Sequence, residues 1–376
     1  MIDETQLTDE MLSLPNSIQE QFYSQNGKLY LWGAGDRAYQ VTQLIKDKGV
    51  LSIEAYVVSD AYYKESTFLD RPIIKASDFL AKVTENDWVV MSIHNSETTK
   101  EVMKQLPSFV KCTCYDYPLS VILQSAWLDR DFFIQNKARF ESTRNVLADE
   151  SSKNLMDAYI KACVAGKSES LNGFRSKGEY FNELTSGCKP GCFVDCGAYT
   201  GDTIEAALDF LGNRLERVIA FEPEPENYEK LKEYIGISGL PSDKVKLLKK
   251  GSYDKADVLC FTASWKDGSH VDGSHVNENV KITIETDSVD NVAADMGEVS
   301  FIKIDVEGSE LKTILGAAET IRKYRPTIAV CVYHKRDDLF EVPEAIRKIT
   351  NDRGYKYYLR YYAPLLCDLI LYAIPD

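Results

Sequence analysis

Apolar residues along this chain follow two alternating rhythms, interrupted by one stretch that keeps only the second. Short apolar runs at 28–32, 53–58, 88–93 and 111–115 alternate with segments of helical period such as 39–48. A parallel strand covered on both faces reads as an unbroken apolar run, whereas its covering helix shows an apolar position every three or four residues. The alternation predicts a small parallel α/β domain over residues 27–118. Ahead of it, Leu7, Met11, Leu12 and Leu14 precede Pro15 and predict a short helical lead over 1–26. From 119 the strand rhythm stops. Phe132, Phe133, Phe140, Leu155, Met156, Tyr159 and Ile160 recur at helical spacing, so residues 119–190 predict a helical connector packing two domains together, with Ser152 as a candidate cap. From 191 to 376 the alternation resumes. Runs at 192–194, 218–221, 245–248, 301–304 and 327–332 predict five core strands, 258–263 and 281–284 a ribbon, and 355–359 and 369–373 the closing strands. The fold class is α/β, with two doubly wound domains.

In such sheets ligands sit beyond the carboxyl ends of the strands, so the residues after each run carry the chemistry. The run at 192–194 leads into Asp195-Cys196-Gly197-Ala198-Tyr199-Thr200-Gly201-Asp202, an acid followed by two glycines four apart. A dinucleotide fingerprint is G-x-G-x-x-G and sets a pyrophosphate on a helix N-terminus. A carboxylate there repels a pyrophosphate and suits a cationic, phosphate-free ligand. S-adenosylmethionine has that character, and the glycines are expected to let its adenosyl part lie on bare backbone. The next strand ends in Glu222-Pro223, about 20 residues past Gly201, where an acid accepts ribose hydroxyls. The third ends near Gly251-Ser252, where the adenine is expected. The later ends carry Asp305-Val306-Glu307 and Tyr333-His334. Tyr180 and Phe181, in the loop before the first strand, are candidates to stack on a ligand or to pack in the core.

The first domain has a rival signal. Gly33, Gly35 and Ala38 fit G-x-G-x-x-G/A, and Asp60 lies where a ribose-binding acid belongs. Two readings stay open: a nucleotide or nucleotide-sugar site, or a structural Rossmann-like domain. No Tyr-x-x-x-Lys pair follows within it, which counts against a nicotinamide-dependent enzyme. His94 reads as a loop histidine. The segment resembles the small nucleotide-binding domains that precede sugar-modifying transferases.

Charge and cysteine usage narrow the picture further. The net charge of −14 disfavours non-specific nucleic-acid binding. No apolar run is long enough for a membrane span, and the start of the chain lacks a secretory pattern. Nine cysteines, an odd count at low density, predict a reducing, cytoplasmic setting. Cys112-Thr113-Cys114 and Cys188 with Cys192 lack the second pair that a zinc site needs. The repeated pentads Asp267–Val271 and Asp272–Val276, with His270 and His275, read as hairpin turns over the site. No metal is expected.

Over residues 192–350 the stretches FVDCGAYTGDT, VIAFEPEPENYEKL, FIKIDVEGSELKTILGA and RPTIAVCVYHKRDDLFEVP closely resemble the FkbM-type methyltransferase family. The resemblance implies a class I S-adenosylmethionine fold and methylation of an oxygen, often a hydroxyl of a sugar or secondary metabolite. By position, Asp195, Gly197, Gly201 and Glu222 hold the donor, with Ala198, Tyr199, Asp202, Pro223, Gly251 and Ser252 around them. Asp305, Glu307, Tyr333 and His334 face the acceptor, and Tyr180 is a further candidate contact. An attacking alcohol must lose a proton, so a base is expected: His334 first, because imidazole titrates near neutrality, then Asp305 or Glu307. A structural alternative has His334 buried and satisfied by Asp305 or Asp338. A non-catalytic protein that binds the donor also stays open.

Overall fold

The computed structural model describes residues 27–47, 52–64, 66–93, 96–114, 128–165, 169–263, 280–362 and 366–376. The chain divides into two compact units, Met1–Asp131 with Lys161–Ser168, and Phe132–Ile160 with Glu169–Asp376.

The first unit is built on β1 (Leu29–Trp32), β2 (Ile53–Val58), β3 (Thr67–Phe68), β4 (Arg71–Lys75), β5 (Trp88–Met91) and β6 (Lys111–Cys114), in the sheet order β3-β4-β2-β1-β5-β6. All neighbours are parallel except β3, which folds back on β4. The four expected strands are present. The β3–β4 hairpin is an addition, because its residues are only partly buried and Pro72 breaks its pattern. Phe79 is fully buried, with its ring edge-on to Tyr30 and Trp32. The candidate nucleotide residues have other work here. Gly33 has φ +123°, and a Cβ there would lie 2.7 Å from the Ser92 carbonyl oxygen. Asp60 accepts the backbone N–H of Ser77, in the first turn of the helix Ala76–Leu80, at 3.0 Å. Gly35 has nothing within 4 Å of its Cβ position. These features give no support to a bound nucleotide. His94 and the two pentads lie outside the described residues.

The second unit carries β7 (Gly191–Cys196), β8 (Leu215–Phe221), β9 (Val245–Leu248), β10 (Gly251–Ser252), β11 (Asp257–Ala263), β12 (Val280–Asp287), β13 (Val299–Ile304), β14 (Thr327–Cys331), β15 (Tyr355–Tyr361) and β16 (Leu369–Pro375). The main sheet runs β15-β16-β14-β13-β7-β8-β9, and a small sheet runs β10-β12-β11. From β14 to β9 every pairing is parallel, while β16 is antiparallel to both its neighbours. Strands β7, β13 and β14 are buried along their whole length, including the polar Asp195, Ser300, Lys303 and Thr327 among their mostly apolar residues. The chain moves outward from β7 to β9 and then returns on the other side at β13. The gap between the carboxyl ends of β7 and β13 is therefore the topological switch point, where an open sheet leaves a crevice.

The helix Lys137–Val146 packs against the helix Asp338–Thr350, and Leu147 just past its end bridges to Tyr357 of the edge strand β15. Phe140 meets Phe340 edge-on, and Arg139 pairs with Glu341 and Glu344 of the helix Asp338–Thr350. The next helix starts at Glu150, two residues before the expected cap. Asp149 caps it by accepting the Ser152 N–H at 2.7 Å, and the Ser152 hydroxyl instead binds the Leu359 N–H of β15.

Candidate functional site

At the switch point Asp195 of β7 stands directly opposite Lys303 of β13 in register. The carboxylate is fully buried and the lysine nearly so, with Nζ 3.1 Å from Oδ1. The ammonium also donates to the Gly197 carbonyl oxygen. Burial pushes the Asp195 carboxyl up to about 6 against the pull of Lys303, so the pair is ionised at neutral pH. Burial works against the Lys303 charge, but Asp195 and Asp305 raise its pKa overall. The expected free anion past the strand end is thus an internal ion pair within the strand. Asp195 exposes no surface, and its charge is met from inside the protein.

The loop after β7 is laced to its neighbours. The N–H groups of Gly197 and Ala198 donate to the Phe221 carbonyl at 3.0 and 2.9 Å, and the Asp305 N–H donates to the Cys196 carbonyl at 3.0 Å. Gly197 has φ +85°, and a Cβ there would fall 1.9 Å from the Asp305 carbonyl oxygen. At Gly201, φ +98°, a Cβ would fall 2.5 Å from the Tyr234 ring. Both glycines are demanded by the protein's own packing, not only by room for a ligand. Ala198 is fully buried in the core. Tyr199 is left-handed at φ +47° and 55% exposed, and Asp202 is exposed at the start of the helix Asp202–Leu211.

Glu222 follows β8 and is 6% exposed. Its Oε2 accepts the Tyr199 N–H and its Oε1 the Glu224 N–H, both at 2.9 Å. Burial raises its pKa, and the two N–H bonds counter that. Each oxygen keeps a second lone pair. Pro223 is half-buried beside it. The third strand end differs from expectation. Gly251-Ser252 is the short strand β10 of the small sheet, and the Ser252 hydroxyl is buried 2.9 Å from that of Thr313. That hydroxyl is spent on internal packing.

Beyond β13 the chain turns sharply, with Glu307 at φ +53° and Gly308 at φ +96°. Glu310, fully buried at the start of the helix Glu310–Leu315, accepts the N–H groups of Val306 and Gly308 at 3.1 and 3.3 Å. Ser309, by contrast, makes no side-chain cap bond. His334, past β14, lies with Nδ1 2.8 Å from Glu310 Oε1, at ion-pair distance but off the line of a directed hydrogen bond. Its Nε2 faces Glu307 Oε2 at 3.5 Å and Asp305 Oδ1 at 3.7 Å. The Tyr180 hydroxyl donates to Asp305 Oδ2 at 3.2 Å, and the Tyr333 ring lies 4.1 Å from the imidazole centroid to centroid. Burial alone would lower the His334 pKa, but Glu310, Glu307 and Asp305 push it up to about 9. His334 is therefore a cation at neutral pH, not a group titrating near neutrality. Its close partner is Glu310, neither Asp305 nor Asp338.

The structure thus brings together Tyr180, Asp305, Glu307, Tyr333 and His334, and separately Gly197, Tyr199 and Glu222, with Asp195 beneath the loop. Ala198 and Ser252 turn inward. Glu310 is the site residue that the pattern of strand ends passed over. An acid in the first turn of a helix reads as a favourable dipole contact, and nothing local distinguishes it from one that turns back toward the next strand.

Comparison with known proteins adds a likeness. Residues 195–357 match the model of the FkbM methyltransferase domain. The chain aligns with the crystal structure of methyltransferase FkbM from Methylobacillus flagellatus over 99% of its own length and 100% of that chain, with TM-score 0.71 and 18% identity. At that identity the likeness is one of fold. Aeropyrum pernix fibrillarin, solved with natively bound S-adenosyl-L-methionine, aligns loosely over 52% of this chain and 71% of its own, at TM-score 0.32 and 11% identity. No curated protein matches the chain.

Proposed function

We propose that this chain, whose residues 195–357 match the FkbM methyltransferase domain, is an S-adenosylmethionine-dependent O-methyltransferase for a hydroxyl of a sugar, a glycan or a secondary metabolite. The observation that carries the hydroxyl acceptor is the cluster at neighbouring strand ends in which Asp305 Oδ1 and Glu307 Oε2 lie 3.7 and 3.5 Å from His334 Nε2. Carboxylates accept hydrogen bonds from hydroxyls, and such groups orient an alcohol for attack.

The residues at the switch point fit the donor. Glu222 is pinned by two backbone N–H groups and keeps lone pairs for two ribose hydroxyls. The Gly197–Gly201 loop is fixed from below by Phe221 and Asp305, so its outer edge is preformed. The neighbouring charges at Glu222, Asp305 and Glu307 favour a ligand with net positive charge over a phosphate-bearing one. When bound, S-adenosylmethionine supplies a methyl carbon on a sulfonium.

The chain's own residues then have divided roles. Asp305 has its Oδ2 tied to Tyr180, and its Oδ1 is free of hydrogen bonds among the described residues. It is the group we assign to take the acceptor's proton. His334, held charged at neutral pH, orients the acceptor and balances the developing negative oxygen, and Glu307 on the rim engages the acceptor's other hydroxyls. Lys303 keeps Asp195 neutralised in the sheet, so the loop above is not distorted by a buried unpaired charge. The test is mass spectrometry of glycans and metabolites from cells with and without the gene. Loss of one methyl unit from a hydroxylated product is expected. Profiles without a methyl difference under conditions where the protein is made would contradict the proposal.

A further inference from the structure

We infer that Asp305, Glu307 and His334, backed by Glu310, hold one divalent cation on the acceptor side of the crevice. Asp305, Glu310 and His334 each offer a ligand atom within 4.8 Å of the others. Nε2 of His334 faces Asp305 Oδ1 at 3.7 Å and Glu307 Oε2 at 3.5 Å. These gaps are too wide for hydrogen bonds. Atoms bound about 2.0–2.2 Å from one ion lie about 3.0–3.6 Å apart around it, so the opening has the size of an ion, not of a shared proton.

A second observation is independent of these spacings. Asp305 Oδ1 and Glu310 Oε2 are buried without a hydrogen-bond partner among the described residues, and the Glu310 side chain exposes no surface. Buried carboxylate oxygens of this kind are costly unless a cation compensates them. Three carboxylates face a single imidazole, and the nearby Lys303 is engaged by Asp195. The order of parts also matches a metal-binding histidine. Glu310 lies 2.8 Å from Nδ1 and leaves Nε2 turned to the carboxylates, and a cation bound there displaces the Nε2 proton, so His334 carries its charge only while the site is empty.

Two carboxylates and one imidazole suit Mn²⁺ or a cation of similar hardness. Three protein ligands leave coordination positions open, as in catalytic sites. On the methyltransferase reading above, on which this role rests, the open positions would take neighbouring oxygens of the acceptor and lower the pKa of its hydroxyl, whose proton leaves to water, so Asp305 and His334 act as ligands in place of the base and charged group they are in the cation-free site. The spacing Asp305-x-Glu307 with a distant His334 matches no local metal motif, which is why the sequence predicts none.

The test uses the full chain stripped with chelator and titrated with Mn²⁺, free Mn²⁺ being followed by electron paramagnetic resonance. About one ion per chain is expected. Glu307→Gln, at an exposed position that leaves folding intact, should weaken binding at least tenfold, as should Glu310→Gln, and Asp305→Asn should abolish it. Wild-type protein that holds no Mn²⁺ up to millimolar concentration overturns the site, as does unchanged binding in Glu307→Gln. Calorimetry with S-adenosylmethionine on the same samples separates the two claims. Donor binding without Mn²⁺ overturns the cation site alone. Mn²⁺ binding without donor binding supports the site and overturns the methyltransferase reading.

Discussion

Lys303 and Asp195 show how much one register position decides. An apolar run with a lysine in it reads as a strand that tolerates a charge, and an acid near another run's end reads as ligand-facing. Only the parallel pairing of β7 with β13 sets them opposite one another and turns both inward. Replacing Lys303 by Met leaves a buried carboxylate unpaired and should cost about 3–5 kcal/mol in urea unfolding. Adding Asp195→Asn should recover part of that loss, and a single variant as stable as wild type would refute the pairing. His334 was identifiable from its place after a core strand, but its charge state was not, because Glu310 approaches from another element. His334→Ala should lower turnover about 100-fold or more while donor affinity stays within about threefold. An unchanged turnover number would remove His334 from the chemistry.

Elements were legible where both faces of a strand are buried. β1, β7 and β13 fall on their apolar runs because nothing in them needs to alternate. The β3–β4 hairpin was not, since half-exposed residues around Pro72 carry no rhythm. One helix start differs from the expected cap: Asp149, three residues ahead of Ser152, accepts the first-turn N–H, while Glu310 ties down the turn before its own helix. The sequence offers a ligand as the one reason for Gly197 and Gly201, whereas the Asp305 carbonyl presses on the first and the Tyr234 ring, from a helix, on the second. Gly197→Ala drives a Cβ into the Asp305 carbonyl and adds left-handed strain, so a loss of about 3 kcal/mol or more is expected. Gly35→Ala, with open space around it, should stay within about 1 kcal/mol of wild type. Equal melting temperatures for the two variants would contradict this account of the loop.

Over the whole molecule, alternating rhythms were enough to predict two α/β sheets, because each parallel connection demands a covering helix and so writes its period into the chain. Which sheet serves a ligand was harder to read, since both open with glycine turns. In the first unit Gly33 and Asp60 are used by Ser92 and Ser77, and in the second Glu222 keeps free lone pairs at the switch point. NAD and nucleotide sugars should therefore give no binding heat with the intact chain, and micromolar binding of either would reopen the first unit as a site. No helix among the described residues is long and apolar enough to cross a membrane. The central claim is that the crevice between β7 and β13 takes S-adenosylmethionine with Glu222 on its ribose. It is tested most directly by titrating the donor into the wild-type chain and its Glu222→Ala variant in a calorimeter. The account predicts one donor per wild-type chain and an affinity about 10–100-fold weaker in the variant, as loss of hydrogen bonds to a charged group implies. No binding by the wild type, or equal affinity in the two, would contradict it.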